Sequence, residues 1–235
     1  MVITMKIGVY TDSHYSSQRV SCGCRYNCQS LRKIREAYAH FEQKGCEWVI
    51  CLGDLIDTES TTQKEVENLS AIAEVIRSSA VPTVCLMGNH DAFTLTPAVF
   101  YQTLGLPAPQ ELHLQGKRLL FLDACYFRNG QHYGPGGGDW TDTFYPDAEG
   151  LLSKLKESDE DTYVFVHQNI DPAVDHNHRI ANADTLFAHI NHSRTVKAVF
   201  QGHYHPGYRS EYHGVRYVTL PAMCENENAF FVFDI

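Results

Sequence analysis

The sequence predicts an α/β fold with mixed strand directions, and three observations predict it. Short β-rich runs of strand length recur along the chain, and segments of helical period lie between them. In the first part this strand–helix alternation argues for largely parallel strands joined by crossovers, whereas the last runs, joined around His213-Gly214 and later turns, read as antiparallel. A mixed sheet, or two, follows.

The strand runs are Lys6 to Thr11, Trp48 to Leu52, Thr83 to Met87, Arg118 to Leu122, Tyr163 to Val166, Ala198 to Phe200, Arg216 to Leu220 and Ala229 to Phe233. Between the first two, Leu31, Ile34, Tyr38 and Phe41 keep a helical period that stops at Gly45. Val66, Leu69, Ile72 and Ile76 form the next helix, which a Thr62/Glu65 capping box is expected to open. Thr96 followed by Pro97 starts another that Gly105 closes, Asp147 heads a run with Leu151, Leu152 and Leu155, and Asn182 heads one with Leu186 and Ile190. The stretch Asn129 to Asp142, which contains Gly-Pro-Gly-Gly-Gly, is a long loop that serves either as a lid or as surface decoration.

A chain of 235 residues with 43% hydrophobic and 20% charged residues has material for a buried core, which excludes disorder and fibre. With no linker or repeat, residues 1–235 are expected to form a single domain. Nineteen Lys and Arg against 28 Asp and Glu give a net charge of -9, which argues against nucleic acid as a partner. No stretch approaches the ~18 uninterrupted apolar residues of a membrane span, and the apolar run at Met1 to Gly8 is too short for a signal peptide, so a cytoplasmic location is expected. Cys46, Cys51, Cys85 and Cys125 lie in or beside apolar runs and read as reduced thiols that pack as small hydrophobes. Oligomeric state has no signature in the sequence.

Thirteen histidines are more than a core requires, and their positions explain them. Open α/β sheets collect functional groups beyond the carboxyl ends of their strands. Asp12 and His14 follow the first run, spaced so that both can point to one side of an extended segment. Gly53-Asp54 follows the second, Gly88-Asn89-His90-Asp91 the third, His167 the fifth and Gly202-His203-Tyr204-His205 the sixth. A single Gly-Asp after a strand is ordinarily a turn. Seven Asp, His and Asn side chains at one rim are another matter, because burying them side by side is costly unless cations neutralise them. Seven groups exceed one site, so two metal ions are expected, and oxygen and nitrogen donors suit Mn, Fe or Zn in divalent or trivalent form. Paired metals are the usual device for in-line displacement at phosphorus.

Asp12-x-His14, Gly53-Asp54, Gly88-Asn89-His90-Asp91, His167 and Gly202-His203-x-His205 together resemble the motif set of the calcineurin-like metallophosphoesterases, in that family's order. The resemblance implies a four-layer α/β/β/α sandwich with two mixed β-sheets. It implies that Asp12, His14 and His205 hold one metal, that Asn89, His167 and His203 hold the second, and that Asp54 bridges them. It implies that His90 stands beside the scissile phosphoryl as a catalytic group and that Asp91 orients its ring; Asp91 also reads as a turn carboxylate. Arg25-Tyr26 followed by Ser30-Leu31 is similar to the manganese-dependent ADP-ribose and CDP-alcohol diphosphatases, a subgroup whose relatives also cleave cyclic nucleotides.

The expected activity is hydrolysis of a small phosphodiester or diphosphate of nucleotide type by metal-activated hydroxide, with His90 also protonating the leaving alkoxide. A phosphomonoesterase acting on protein or sugar shares the centre, and a non-catalytic metal-binding scaffold is the alternative of another class. Tyr15, Arg25, Tyr26 and Tyr126 are candidate substrate contacts, with Arg128 and His132 a further pocket wall. Cys22, Cys24 and Cys28 have the spacing of thiolate ligands but no evident fourth partner. His176 and His178 read either as solvated loop residues or as phosphate or metal contacts.

Overall fold

The computed structural model describes residues 4–109, 111–138 and 144–235. Its elements in chain order are β1 (Lys6–Tyr10), α1 (Ser30–Lys44), β2 (Trp48–Cys51), α2 (Thr62–Ser78), β3 (Thr83–Cys85), α3 (Asn89–Thr94), α4 (Pro97–Leu104), β4 (Leu112–Leu114), β5 (Lys117–Leu122), α5 (Ala148–Lys156), β6 (Asp161–Val166), α6 (Ala183–His192), β7 (Val196–Gln201), β8 (Tyr208–Tyr212), β9 (Val215–Thr219) and β10 (Phe230–Asp234). One sheet has the order β10-β1-β2-β3 and the other β4-β5-β6-β7-β9-β8. In the first, β1, β2 and β3 are parallel and β10 closes the edge antiparallel to β1. In the second, β5, β6, β7 and β9 are parallel, with β4 and β8 as antiparallel edges.

Side chains alternate across each strand, and the two faces feed different layers. Ile7, Val9, Ile50 and Leu52 point inward from the first sheet and meet Leu119, Tyr163, Phe165, Ala198 and Phe200 of the second. Tyr10, Val49 and Cys51 point outward, under Ile34 and Phe41 of α1, Leu69 and Ile72 of α2 and Phe100 of α4. On the far side Leu120, Val164, Val166 and Val199 pack against Leu151 and Leu155 of α5 and Leu186 and Ile190 of α6. Three apolar layers between four layers of structure make the α/β/β/α sandwich.

The helix ends follow the sequence at Gly45 and Gly105, both left-handed, at Thr96, and at Asp147, whose side chain accepts from Gly150 N. Thr62 does not cap α2. Thr61 does, accepting from Lys64 N, while Glu65 turns back to accept from Glu59 N at 2.9 Å. Asn182 occupies the N-cap position of α6 without a capping bond; its amide donates to Pro146 O. Among the described α-helices and strands, sequence periodicity misses β4, α3 and β8: β4 and α3 are too short to show a period, and β8 is an edge strand with Arg209 and Glu211 exposed in place of an apolar stripe. Within the loop expected at Asn129 to Asp142, Tyr133 is fully buried and its hydroxyl donates to Gly138 O, while residues 139–142 lie outside the described residues. Among the described residues no helix is long and apolar enough to cross a membrane.

Candidate metal centre

All seven proposed ligands stand just past the carboxyl ends of parallel strands: Asp12 and His14 after β1, Asp54 after β2, Asn89 at the start of α3 after β3, His167 after β6, and His203 and His205 after β7. Hydrogen bonds lock these ends together within and across the sheets. Asp12 N donates to Gly53 O and His14 N to Asp54 O. His203 N donates to Asp12 Oδ2 at 3.0 Å, and His167 Nδ1 lies 3.0 Å from Leu52 O.

Asp12 and His14 do not lie on an extended segment. Asp12, His14, Asp54 and His203 all have positive φ, between 44° and 62°, so the chain coils as it leaves each strand and turns these side chains into one space. Such backbone is costly for residues with a side chain and persists where the surroundings over-determine it. Two glycines make room: a Cβ on Gly88 would sit 2.1 Å from Asp54 Oδ1, and one on Gly202 would sit 2.2 Å from Thr11 Oγ1 and 2.7 Å from Asp12 Oδ2.

The resulting cluster is compact and largely buried. Asp12 and His14 are fully buried, and Asp54, Asn89 and His167 are 1% exposed. His14 Nε2 lies 3.7 Å from Asp12 Oδ1 and 3.6 Å from Asp54 Oδ2; His167 Nε2 lies 3.1 Å from Asp54 Oδ2, and His205 Nε2 3.6 Å from Asp12 Oδ1. Candidate ligand atoms of Asp12, His14 and Asp54 form one group within 4.8 Å of one another, and those of Asp54, His167 and His203 form another, with Asp54 common to both. Cys224 joins His14 and His205 in a third group, a thiol that burial pushes up.

Protons divide unevenly over this cluster. Burial, then the neighbouring His90, push His14 down to about 4, whereas His167, which burial would also lower, is held at about 9 by Asp54 and Asp12. Burial would raise Asp54, yet His167 and His90 hold its carboxyl well below the usual range. Asp12 Oδ1, His14 Nε2 and both amide atoms of Asn89 are buried without a hydrogen-bond partner. Buried oxygen and nitrogen atoms left without hydrogen-bond partners fit cations of the first transition row.

His90 lies at the edge of the cluster, its ring edge-on to His14 at 4.6 Å and its backbone N–H donating to Asp54 Oδ1 at 2.8 Å. Its Nδ1 is 3.0 Å from Asp57 Oδ1. This corrects the expectation for Asp91, whose carboxylate accepts from Gly88 N and Ile56 N and so staples the turns after β2 and β3 together. Asp57 is the residue that sequence reasoning missed; its signal was a second carboxylate three positions after Asp54. Asp57 itself is fixed by Ser21 Oγ and Asn27 Nδ2, each at 3.0 Å, with Arg25 Nη1 at 3.6 Å. Glu225 is a second omission, its Oε1 2.6 Å from His205 Nδ1.

A cavity of about 360 Å³ opens over the cluster, lined by Arg25, Asp54, His90, His178, His203, Tyr204, His205 and Pro206. Of the four candidate substrate contacts only Arg25 lines it. Tyr15 packs against the outer core of the first sheet, Tyr26 is 44% exposed, and the Tyr126 ring lies edge-on to His132, which is 3.0 Å from Asp123. Arg128 falls in an exposed turn and His176 is exposed, whereas His178 is at the cavity wall. Cys22, Cys24 and Cys28 are exposed, and among the described residues they form no shared ligand group.

Comparison with known proteins gives these features a context. The family model described as calcineurin-like phosphoesterase matches residues 5–207. A protein of Psychrobacter arcticus called a probable cyclic nucleotide phosphodiesterase is 22% identical over 228 residues, covering 90% of this chain and 75% of its own length. Among solved structures, a dimetal phosphatase from Danio rerio superposes with a TM-score of 0.79 at 17% identity, over 97% of this chain and 91% of that one. The phosphopantetheinyl hydrolase of Mycobacterium tuberculosis superposes with a TM-score of 0.56 at 14% identity, over 94% and 91%.

Proposed function

The chain belongs to the calcineurin-like phosphoesterase family and is a metal-dependent phosphoester hydrolase, and from that premise we propose that it is a phosphodiesterase or diphosphatase acting on a nucleotide-like small molecule. The observation that carries this reading is a pair of cavities bordered by His90. One is the 360 Å³ cavity over the cluster; the other, of about 210 Å³, is lined by Thr58, Asn89, His90 and the exposed ring of Phe93. The reacting phosphorus of a diester or diphosphate is substituted through two of its oxygens, where that of a monoester is substituted through one, and the two cavities give room on both sides of it. The name of the Psychrobacter relative supports a diester substrate.

Asp12, His14 and His205 would hold one ion and Asn89, His167 and His203 the other, with Asp54, common to two of the ligand groups, shared; manganese, iron or zinc suits these donors. Bound there, such a pair supplies a nucleophile from water near neutral pH and neutralises charge on the phosphoryl oxygens. Asp57 takes the Nδ1 side of His90, which leaves Nε2 to give a proton to the leaving oxygen. Arg25, half-buried beside Asp57, presents guanidinium donors to a non-reacting phosphoryl oxygen or a second phosphate.

The test is a panel on protein reconstituted with Mn²⁺, Fe²⁺ or Zn²⁺: bis(p-nitrophenyl) phosphate, cyclic nucleotides, ADP-ribose and CDP-alcohols against p-nitrophenyl phosphate and sugar phosphates. Higher kcat/KM on the diesters or diphosphates is the expected result. Turnover confined to monoesters would replace the reading with a phosphomonoesterase, and a protein that binds no metal would replace it with a scaffold.

A further inference from the structure

Lys33 of α1 is 1% exposed, and its Nζ donates to three backbone carbonyls, Met223 O at 2.9 Å, Asn226 O at 3.1 Å and Cys224 O at 3.5 Å. The Glu227 carboxylate oxygen Oε1 lies 3.9 Å away. A buried ammonium is expensive, so one that serves main-chain carbonyls of a single connector needs a reason. That connector joins β9 to β10 and passes along the rim where both sheets end. Ala222 N donates to His205 O, Met223 N to Thr11 O and Cys224 N to Asp12 O, so the connector is tied to both sides of the cluster.

The carbonyls that Lys33 holds bracket Glu225, the residue whose Oε1 lies 2.6 Å from His205 Nδ1. The Cys24 thiol also donates to Glu225 Oε1, at 3.3 Å. With Nδ1 engaged, His205 turns Nε2 towards Asp12. A carboxylate behind a ligating imidazole fixes its tautomer and ring angle and makes it a stronger donor. The corresponding acceptor behind His167 is only the Leu52 carbonyl. We infer that Glu225, held in place by Lys33, is a positioning residue for His205, and that it strengthens the ion bound by Asp12, His14 and His205 relative to the ion bound by Asn89, His167 and His203.

This inference rests on the metal centre proposed above and not on the substrate. The experiment strips the full-length protein of metal and measures Mn²⁺ stoichiometry and affinity by equilibrium dialysis with elemental analysis, alongside thermal melting of the stripped protein. Wild type is expected to take up two ions; uptake of none would overturn the centre itself. Glu225→Ala is expected to weaken one ion roughly 10- to 100-fold while the other binds as in wild type, with the stripped protein melting near the wild-type temperature. Glu225→Gln, whose amide oxygen still accepts from His205, is expected to recover part of that loss. Lys33→Met, which keeps the length of the stem, is expected to weaken the same ion by a smaller factor. Two ions of wild-type affinity in Glu225→Ala, or equal weakening of both, would overturn the inference.

Discussion

The rim of the two sheets and the cysteine-bearing loop ahead of α1 hold side chains with the same appetite for metal in opposite arrangements. At the rim, Asp12 and His203 are 191 positions apart in the chain and joined by a hydrogen bond. In the loop, Cys22, Cys24 and Cys28 are close in sequence, exposed and turned to separate partners, Cys24 to Glu225 and Cys28 to Arg19 O. Ligands are gathered by backbone that has already been fixed for another reason. Parallel strands must end together, and at these ends buried hydrogen bonds hold each residue in a coil that it would not adopt alone. No strand end directs the three thiols.

The hardest blow to the rim is Asp54→Ala. Asp54 belongs to both ligand groups, and its Oδ1 accepts from His90 N. Both metal content and turnover should fall, turnover by roughly 10⁴-fold or more, as read by elemental analysis and steady-state kinetics. An enzyme that kept two ions would show that Asp54 is not shared. His90→Ala separates chemistry from assembly. It should keep both ions and lose roughly 10²- to 10⁴-fold in kcat, more on alkyl than on aryl esters, because a poor leaving group needs the proton most. Equal losses on both esters would remove His90 from the leaving-group side.

Gly202→Ala attacks the framework rather than a ligand. Its Cβ would press on Thr11 and on the Asp12 carboxylate, and β7 cannot move away without disturbing β6 and β9. Metal affinity should drop about 10- to 100-fold and stability by about 1–3 kcal/mol, measured by dialysis and by denaturant melts of the metal-free protein. Unchanged affinity would mean that the rim tolerates displacement and that convergence owes less to fixed backbone than the comparison with the loop suggests.

What the sequence made legible follows the same division. Strands such as Tyr163 to Val166 announce themselves by apolar runs, and the polar residues that follow mark the rim, so the ligand types and their order are open to reading. The way they converge is not. Positive φ at Asp12 and Asp54 comes from tertiary hydrogen bonds to Gly53 and His14, which no local pattern encodes. The exchange of Asp57 for Asp91 behind His90 has the same origin: both carboxylates lie near the ring in sequence or in space, and only the turn after β2 decides which one faces Nδ1. Glu225 is remote from every motif, and β8 hides because its exposed face needs no apolar period.

The mildest prediction bears on the loop. The triple substitution Cys22→Ser, Cys24→Ser, Cys28→Ser should leave two ions bound and activity within about twofold of wild type. Exposed substitutions away from packed or buried polar features change stability by about 0.5 kcal/mol or less. Cys24 is the one that touches the rim, through Glu225, and a serine hydroxyl can donate to the same carboxylate oxygen. The Glu225 carboxylate also pushes the Cys24 thiol up, which disfavours the thiolate that a metal would need. Elemental analysis of the triple variant therefore decides whether proximity in sequence gathers anything in this molecule: loss of an ion would place the cysteines in the centre and erase the contrast between loop and rim.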